Sequence, residues 1–276
     1  MLALSRFVSG WPLSVLQRLG AALGWLVWLA SPTYRRRFAE HAALAGYSFE
    51  QVRPAVAAAG RMVAEAPRVW FGPAVPVSIQ GKEHIEQAYA AGKGVIFVTP
   101  HLGCFEMAAQ AVAEGYSAAH GPITVMYRPA RHPAVVEVIE AARQRPGMET
   151  APTTLAGVRR LLKALRAGQS VGILPDQVPP EDMGEWLPVF GRAAYTMTLT
   201  ARLALQTGAA VLPCWCERLP AGRGFVFHVR PLSQPLADDL TEATTQINRE
   251  MENLIRECPQ QYLWGYGRYK TPRPEL

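Results

Sequence analysis

The chain has few cysteines and few charged residues, and its longest apolar run is short. Its four cysteines, Cys104, Cys214, Cys216 and Cys258, contain no CxxC pair and are too sparse in 276 residues for a disulfide framework, so reduced thiols are expected. Charged residues make up 18% of the chain against 49% hydrophobic residues, which excludes a disordered protein and indicates a globular one with some apolar surface. The length suits one main domain.

Several common sequence motifs are also missing. There is no zinc-finger spacing, no RNA-binding aromatic signature and no dense Lys/Arg helix, so we predict no nucleic-acid partner. The net charge of +6 and pI of about 9.3 instead favour acidic lipid headgroups or an acidic carrier protein. A GxSxG nucleophile elbow and a phosphate-binding glycine loop are both absent, and the histidines show no metal-ligand spacing. We therefore predict no metal site.

The longest apolar segment lies near the amino terminus. Residues Leu19 to Ala30 are all apolar or glycine, but this is short of the roughly 20 residues that span a bilayer. Three arginines follow at positions 35–37, and basic residues beside an apolar helix favour the cytoplasmic side. Tryptophans that suit the headgroup zone stand nearby: Trp11, Trp25 and Trp28. We predict a membrane-anchor helix in residues 1–32; a buried core helix is the alternative.

The remainder of the chain predicts one α/β domain over residues 33–276. Its first part, 33–72, has helical spacing and is expected to brace the anchor. After Pro73, strands such as 94–100 alternate with helices such as 194–207. This order predicts a central, mostly parallel or mixed sheet flanked by helices.

A histidine and a glutamate follow the strand predicted at 94–100. His101 comes directly after this strand in TPHLGCFEMAAQ, and Glu106 follows five residues later. Reactive groups in open α/β sheets collect beyond the carboxyl ends of strands. If Glu106 lies in the first turn of the next helix, its carboxylate can hold one imidazole nitrogen and leave the other to take a proton. A histidine at a strand end can also be purely structural, and the residues alone leave both interpretations open.

Longer segments add a family resemblance. HLGCFE resembles the HxxxxD/E motif of the glycerolipid acyltransferase superfamily, and the whole pattern is similar to the lauroyl/myristoyl acyltransferases that act on lipid A precursors. The matching segments, in chain order, are the apolar amino-terminal helix, VMYRP with Arg128, LPDQVPPEDMGEWLPVFG with Asp176, Gln177 and Gly191, AYTMTLTARLALQTGAAVLP, and QYLWGYGRYKTPRP. They cover nearly the whole chain. In the tail, the family commonly carries a His-Arg pair where this chain has Gly265, Tyr266 and Gly267 before Arg268. This departure bears on the inference about the exact acceptor lipid and not on the inference about the reaction.

The resemblance implies an O-acyltransferase with His101 as the base and Glu106 as the carboxylate that orients it. It implies no metal and no cofactor beyond the acyl-thioester co-substrate. The donor would be acyl carrier protein or acyl-CoA, and the acceptor a hydroxyl of a lipid A precursor at the cytoplasmic face of the cell inner membrane. Alternatives are the same reaction on another glycolipid, an ornithine lipid or a lysophospholipid, a non-catalytic lipid-binding protein of the same fold, or a soluble hydrolase.

Further residues receive substrate-binding roles from this resemblance. Arg128 suits a phosphate or oxyanion contact because a guanidinium binds phosphate in a bidentate way, although it can equally be a surface arginine. Asp176 and Gln177 are expected to position substrate, with a turn before a proline as the alternative. Gly191 occupies the matching place in the same segment. A basic helical face could dock the carrier protein or simply be solvated: Arg159, Arg160, Lys163 and Arg166.

Overall fold

A computed structural model describes residues 1–128, 132–143 and 145–273. Its helices are α1 (Leu2–Ser9), α2 (Leu13–Ala30), α3 (Pro32–Leu44), α4 (Phe49–Val52), α5 (Pro54–Phe71), α6 (Lys82–Ala90), α7 (Phe105–His120), α8 (Pro133–Arg143), α9 (Leu155–Arg166), α10 (Leu199–Thr207) and α11 (Leu240–Glu257). Its strands are β1 (Val77–Gln80), β2 (Val95–Val98), β3 (Ile123–Tyr127), β4 (Met148–Pro152), β5 (Ser170–Ile173), β6 (Gly184–Val189), β7 (Arg192–Met197), β8 (Ala210–Arg218) and β9 (Phe225–Val229).

The central sheet has seven strands within the described ranges, in the order β1-β9-β8-β2-β5-β3-β4. Of the pairs described in this sheet, only β8 with β9 is antiparallel. All residues of β2 are buried, as expected for a parallel strand covered on both faces. The predicted α/β class with a mixed sheet is confirmed.

Hydrophobic clusters cover both faces of the sheet. Successive residues of β2 alternate between them, with Ile96 in one cluster and Phe97 in the other, because side chains along a strand point to opposite faces. Leu161 of α9 and Ile247 of α11 lie in the first cluster. The second cluster contains Met107 of α7. The sheet is therefore sandwiched between helices, and its strand ends remain available for a site.

Helix α2 packs along α5 through small residues. A Cβ added to Gly24 would lie 2.2 Å from the Val56 carbonyl oxygen, and one added to Gly60 would lie 1.9 Å from the Gly20 carbonyl oxygen. The helix is long and apolar enough to cross a membrane by length and composition, yet 28% of it is buried against the protein. Its other face exposes large apolar side chains: Leu19, Leu23, Leu26 and Leu29. The predicted apolar helix is present, and the division at residue 32 stays a prediction.

The region around residues 184–199 differs from the sequence prediction. A helix was predicted from residue 194, but residues 192–197 form β7, which pairs antiparallel with β6, and α10 begins only at Leu199. Cross-strand pairing with β6 overrides the helical preference of this alanine- and threonine-containing stretch, since strand formation depends strongly on tertiary context.

Candidate active site

Three neighbouring parallel strands bring the predicted site residues to one edge of the sheet. Strand β2 pairs with β5, and β5 pairs with β3, all in parallel. His101 follows β2, Asp176 and Gln177 follow β5, and Arg128 follows β3. Because parallel strands end at the same edge, residues far apart in sequence meet there.

His101 and Asp176 form the central contact of the site. The ring Nδ1 of His101 lies 2.7 Å from Asp176 Oδ1, and the His101 backbone N–H donates to Oδ2 at 2.9 Å. Burial alone would raise the pKa of the Asp176 carboxyl, but the His101 ring and backbone N–H, together with the charge of Arg268, hold that pKa below its ordinary value. The ionised carboxylate therefore keeps the proton on Nδ1 and leaves Nε2 as the basic nitrogen.

Glu106 lies in the first turn of the next helix, as predicted, but its hydrogen bond goes to Trp70. The carboxylate bonded to the His101 ring is Asp176, whereas Glu106 accepts a hydrogen bond from the Trp70 indole nitrogen at 3.1 Å. Glu106 lies in the first turn of α7, where the helix dipole favours an acid, and it lines the same cavity as His101. The carboxylate that contacts the ring thus follows the neighbouring strand β5, and a role for Glu106 in orienting the ring stays a prediction.

The loop that carries His101 is held by backbone contacts on both sides. Gly103 has a φ of +61°, and a Cβ there would lie 1.9 Å from the Cys216 carbonyl oxygen, so only glycine fits. The same carbonyl accepts the Cys104 N–H at 2.8 Å, and the Leu263 N–H donates to the His101 carbonyl at 3.2 Å. These contacts fix the position of the imidazole relative to the sheet.

A cavity of about 290 Å³ opens beside His101. Its interior lies between the sheet and α7 and is mostly apolar, lined by Phe97, Phe105, Ala108, Ile123, Val125, Gly172, Cys214 and Phe227. Its polar lining includes His101, Glu106, Arg128 and Gln177. An apolar cavity with a few converging polar groups suits a molecule with a hydrocarbon chain and a polar reacting centre.

Comparison with known proteins places this arrangement in a family. A family model described as bacterial lipid A biosynthesis acyltransferase matches residues 1–271.

The chain belongs to this acyltransferase family.

Individual relatives agree with the family match. The lipid A biosynthesis lauroyltransferase of Escherichia coli (strain K12) is 28% identical over 222 residues, which cover 78% of this chain and 70% of the relative. The lipid A biosynthesis acyltransferase of Haemophilus influenzae is 29% identical over 186 residues, 67% of this chain and 56% of the relative. A phosphatidylinositol mannoside acyltransferase of Mycobacterium tuberculosis (strain ATCC 25618 / H37Rv) is 29% identical over 173 residues, 60% of this chain and 51% of the relative. The chain thus spans little more than half the length of the last two.

Arg128 and Gly191, to which the family resemblance also gives substrate-binding roles, lie in different parts of the structure. Arg128 is exposed at the end of β3 and lines the cavity. Pro129 of the VMYRP segment and residues 274–276 of the tail lie outside the described residues. Gly191 forms the β6–β7 turn with Phe190, where φ angles of 75° and 46° are typical of a two-residue hairpin turn. Turn geometry explains this glycine, and its substrate-binding role stays a prediction.

Three residues of the site were not predicted from the sequence. Trp70 holds Glu106, and the Tyr266 hydroxyl accepts the Val178 N–H at 3.0 Å, which fixes the chain just after Gln177. Arg268 is 4% exposed and donates to the Tyr195 carbonyl while its charge acts on Asp176. Tyr266 and Arg268 lie in the tail segment that resembles the family, so this segment could have indicated that they belong to the site. The sequence contains no such indication for Trp70, because it lies outside every segment that resembles the family.

Within the described ranges, no group of three or more His, Cys, Asp or Glu side chains is arranged to hold a metal ion. The predicted absence of a metal requirement stays a prediction. The cysteines are free, with Cys104, Cys214 and Cys216 buried, and burial raises the pKa of each of these three thiols.

Proposed function

We propose that the chain is an O-acyltransferase that moves a fatty acyl group from an acyl thioester to a hydroxyl of a lipid A precursor. The observation that carries this proposal is the His101–Asp176 pair at an apolar cavity, in a chain that belongs to the lipid A biosynthesis acyltransferase family. The relatives named as lipid A lauroyltransferase and acyltransferase support the choice of acceptor.

The proposed reaction uses His101 as the general base. Nε2 takes the proton of the acceptor hydroxyl while the hydroxyl oxygen attacks the thioester carbonyl, and the Nδ1–H bond to Asp176 stabilises the imidazolium that forms. The C–S bond then breaks, and the proton passes to the departing thiolate. Because a thiol has a pKa of about 8.5, its departure needs no strong acid, so the scheme requires no metal and no further cofactor.

Glu106 has a supporting place in this scheme. Trp70 fixes its carboxylate at the cavity that His101 also lines. A carboxylate there can accept a hydrogen bond from a hydroxyl that enters the cavity. Glu106 therefore helps to position the acceptor hydroxyl, and Asp176 sets the orientation of the ring.

The cavity provides the place for the fatty acyl chain of the donor. Thr153, just before α9, also lines the cavity, so the amino-terminal end of this basic helix lies near it. The helix exposes Arg159, Arg160, Lys163 and Arg166. A basic face beside the cavity suits an acidic acyl carrier protein, and acyl-CoA is the alternative donor. Arg128, exposed at the same cavity, suits a phosphate of the acceptor.

We also propose that the protein works at the cytoplasmic face of the cell inner membrane. Helices α1 and α2 expose an apolar face that includes Leu4, Phe7, Leu19, Leu23, Leu26 and Leu29. Helix α1 packs on α5, where Arg68 donates to the Ser9 carbonyl at 3.2 Å, and Trp70 of the same helix end reaches Glu106. The carboxyl-terminal end of α5 therefore contacts both α1 and the cavity-lining Glu106, which supports a lipid acceptor that reaches His101 from the side of the apolar face.

The proposal is tested with purified protein in phospholipid vesicles, a radiolabelled acyl carrier protein thioester and a lipid A precursor. We expect acyl transfer by the unmodified protein and loss of transfer in His101→Ala. The matched control is His84→Ala, which alters a histidine outside the cavity lining. Near-normal transfer by His101→Ala would contradict the mechanism, and a parallel series with acyl-CoA identifies the donor.

A second acceptor deserves a direct comparison because one relative is named as a phosphatidylinositol mannoside acyltransferase. Mass spectrometry of total lipids from cells with and without the gene separates the two. We expect lipid A to gain the mass of one fatty acyl group. The same gain on an inositol glycolipid, with lipid A unchanged, would favour the second acceptor.

A further inference from the structure

The basic nitrogen of His101 is already occupied by a side chain of the protein. The Gln177 amide nitrogen lies 3.0 Å from His101 Nε2. Since Asp176 keeps the proton on Nδ1, Nε2 presents a lone pair, and the amide N–H₂ is a suitable donor to it. Gln177 therefore covers the atom that the proposed mechanism uses to accept a proton.

We infer that Gln177 is a positioning residue that keeps the His101 base from activating water until an acceptor hydroxyl displaces its amide. The inference rests on the proposed function. An acceptor hydroxyl that enters the site can donate to Nε2 in place of the amide, so one neutral hydrogen bond replaces another. A water molecule has none of the acceptor's other contacts to stabilise it in that position.

The side reaction that this arrangement would suppress is thioester hydrolysis. There a water oxygen attacks the thioester carbonyl carbon, and its proton goes to His101 Nε2. The C–S bond breaks, and the imidazolium returns the proton to the thiolate. The products are a free fatty acid and a thiol, so the donor is consumed without acylation of the lipid.

The residues on either side of Gln177 are held in place by hydrogen bonds and prolines. Asp176 is fixed by its two bonds to His101, and the Val178 N–H is fixed by the Tyr266 hydroxyl. Pro179 and Pro180 follow and restrict the backbone further. The Gln177 side chain is half-buried and lines the cavity, so rotation about its own bonds can uncover Nε2.

The experiment compares thiol release without acceptor and ester formation with acceptor in the same vesicle assay. For Gln177→Ala we expect acceptor-independent thiol release to rise about threefold to tenfold, as for the loss of one neutral hydrogen bond. The fraction of donor converted to lipid ester should fall. The double variant His101→Ala/Gln177→Ala should lose the extra hydrolysis, and Gln87→Ala, at an exposed position on α6, should behave like the unmodified protein.

A second variant separates this role from a purely structural one. Gln177→Glu places a carboxylate against Nε2, which favours the protonated ring and should move the acid limb of the pH–rate profile to higher pH. Equal losses of hydrolysis and transfer in Gln177→Ala, with the pH profile of Gln177→Glu unmoved, would overturn the inference. Failure of the unmodified protein to acylate any acceptor would instead overturn the proposed function, and the inference with it.

Discussion

Arg218 and Glu65 form a buried ion pair, with side chains that are 4% and 0% exposed. Arg218 Nε donates to Glu65 Oε2 at 2.7 Å, and its Nη2 also donates to the Gly103 carbonyl at 3.0 Å. Gln17 of α2 donates to the same Glu65 oxygen at 3.2 Å. This pair therefore connects α2, α5 and β8 to the loop that carries His101.

Removal of Arg218 should destabilise the fold strongly. Arg218→Ala leaves Glu65 as an unpaired buried charge, so we expect the free energy of unfolding to fall by about 3–5 kcal/mol, measured by urea denaturation. The exposed Arg223→Ala should change it by no more than about 0.5 kcal/mol. The double variant Glu65→Leu/Arg218→Met should recover much of the loss. If Arg218→Ala lowered the free energy of unfolding no more than Arg223→Ala does, the ion pair would not stabilise the fold.

Replacement of Asp176 should affect the rate more than the fold. Asp176→Asn leaves a group of the same shape that no longer holds Nδ1–H or stabilises an imidazolium, so kcat should fall by about 10²–10⁴-fold with a smaller change in KM. Steady-state transfer kinetics measure this, and the exposed Asp238→Asn is the control. If Glu106→Gln costs far more than Asp176→Asn, Glu106 rather than Asp176 is the orienting acid.

The stability of the protein should decline in mild acid because of His41. This residue is 8% exposed, and its Nδ1 lies 2.9 Å from the Trp264 carbonyl. Burial lowers the pKa of His41 below 6.5, although the hydrogen bond to Trp264 acts in the opposite direction. The unfolded chain therefore takes up the proton first, and stability present above pH 6.5 is lost as pH falls toward the lower pKa of the folded state.

This pH effect is measured by urea unfolding between pH 8 and pH 5. In His41→Gln the amide can still donate to the Trp264 carbonyl but cannot titrate, so the decline should become shallower. His84→Gln, which changes a partly exposed histidine, should keep the original slope. An identical slope in His41→Gln and the unmodified protein would assign the acid sensitivity to other groups.

The α2–α5 contact should tolerate no side chain at Gly60. A Cβ there would lie 1.9 Å from the Gly20 carbonyl oxygen and 2.5 Å from the Gly24 nitrogen, so the two helices must separate. We expect Gly60→Ala to lower the free energy of unfolding by about 1–3 kcal/mol. Gly115→Ala in α7 is the matched control, since its nearest neighbour would be Ile79 Cδ1 at 4.0 Å. That variant should gain up to about 1 kcal/mol, because alanine favours the helix. Equal melting temperatures would refute the tight contact.

Gly172 should limit how much of the acyl chain the cavity accepts. A Cβ at this position would lie 3.6 Å from Val125 Cγ2 and 3.7 Å from Ile123 Cδ1, so a small side chain fits but takes space from the cavity. Gly172→Val should shift donor preference toward shorter chains, since each methylene excluded from the cavity forfeits about 0.8 kcal/mol of burial. Competition between donors of different length measures the shift. Undiminished activity with the shortest donor is the internal control, and an unchanged length profile would place the chain elsewhere.

Local sequence patterns predicted much of the sheet but only part of the site. His101 was recognisable because it directly follows the strand predicted at 94–100, and β2, Val95–Val98, lies within that range. The contact between His101 and Asp176 spans 75 residues and depends on β2 lying beside β5, which no local spacing encodes. The five-residue spacing to Glu106 was visible in the sequence, whereas the position of Asp176 required the strand order. Residues 194–197 were predicted wrongly for the same reason, because pairing with β6 decides their conformation.

The packing of α2 on α5 restricts how α2 can move relative to the rest of the protein. A helix joined to the rest of the protein only by a flexible linker would let the enzyme swing freely above a surface. Here the glycine contacts and the hydrogen bond from Gln17 to Glu65 hold one side of α2 against α5. The orientation of α2 relative to the sheet is therefore fixed. A membrane into which the exposed leucines of α2 insert therefore fixes the height and the tilt of His101 relative to its surface, and with them the position of His101 relative to a lipid headgroup.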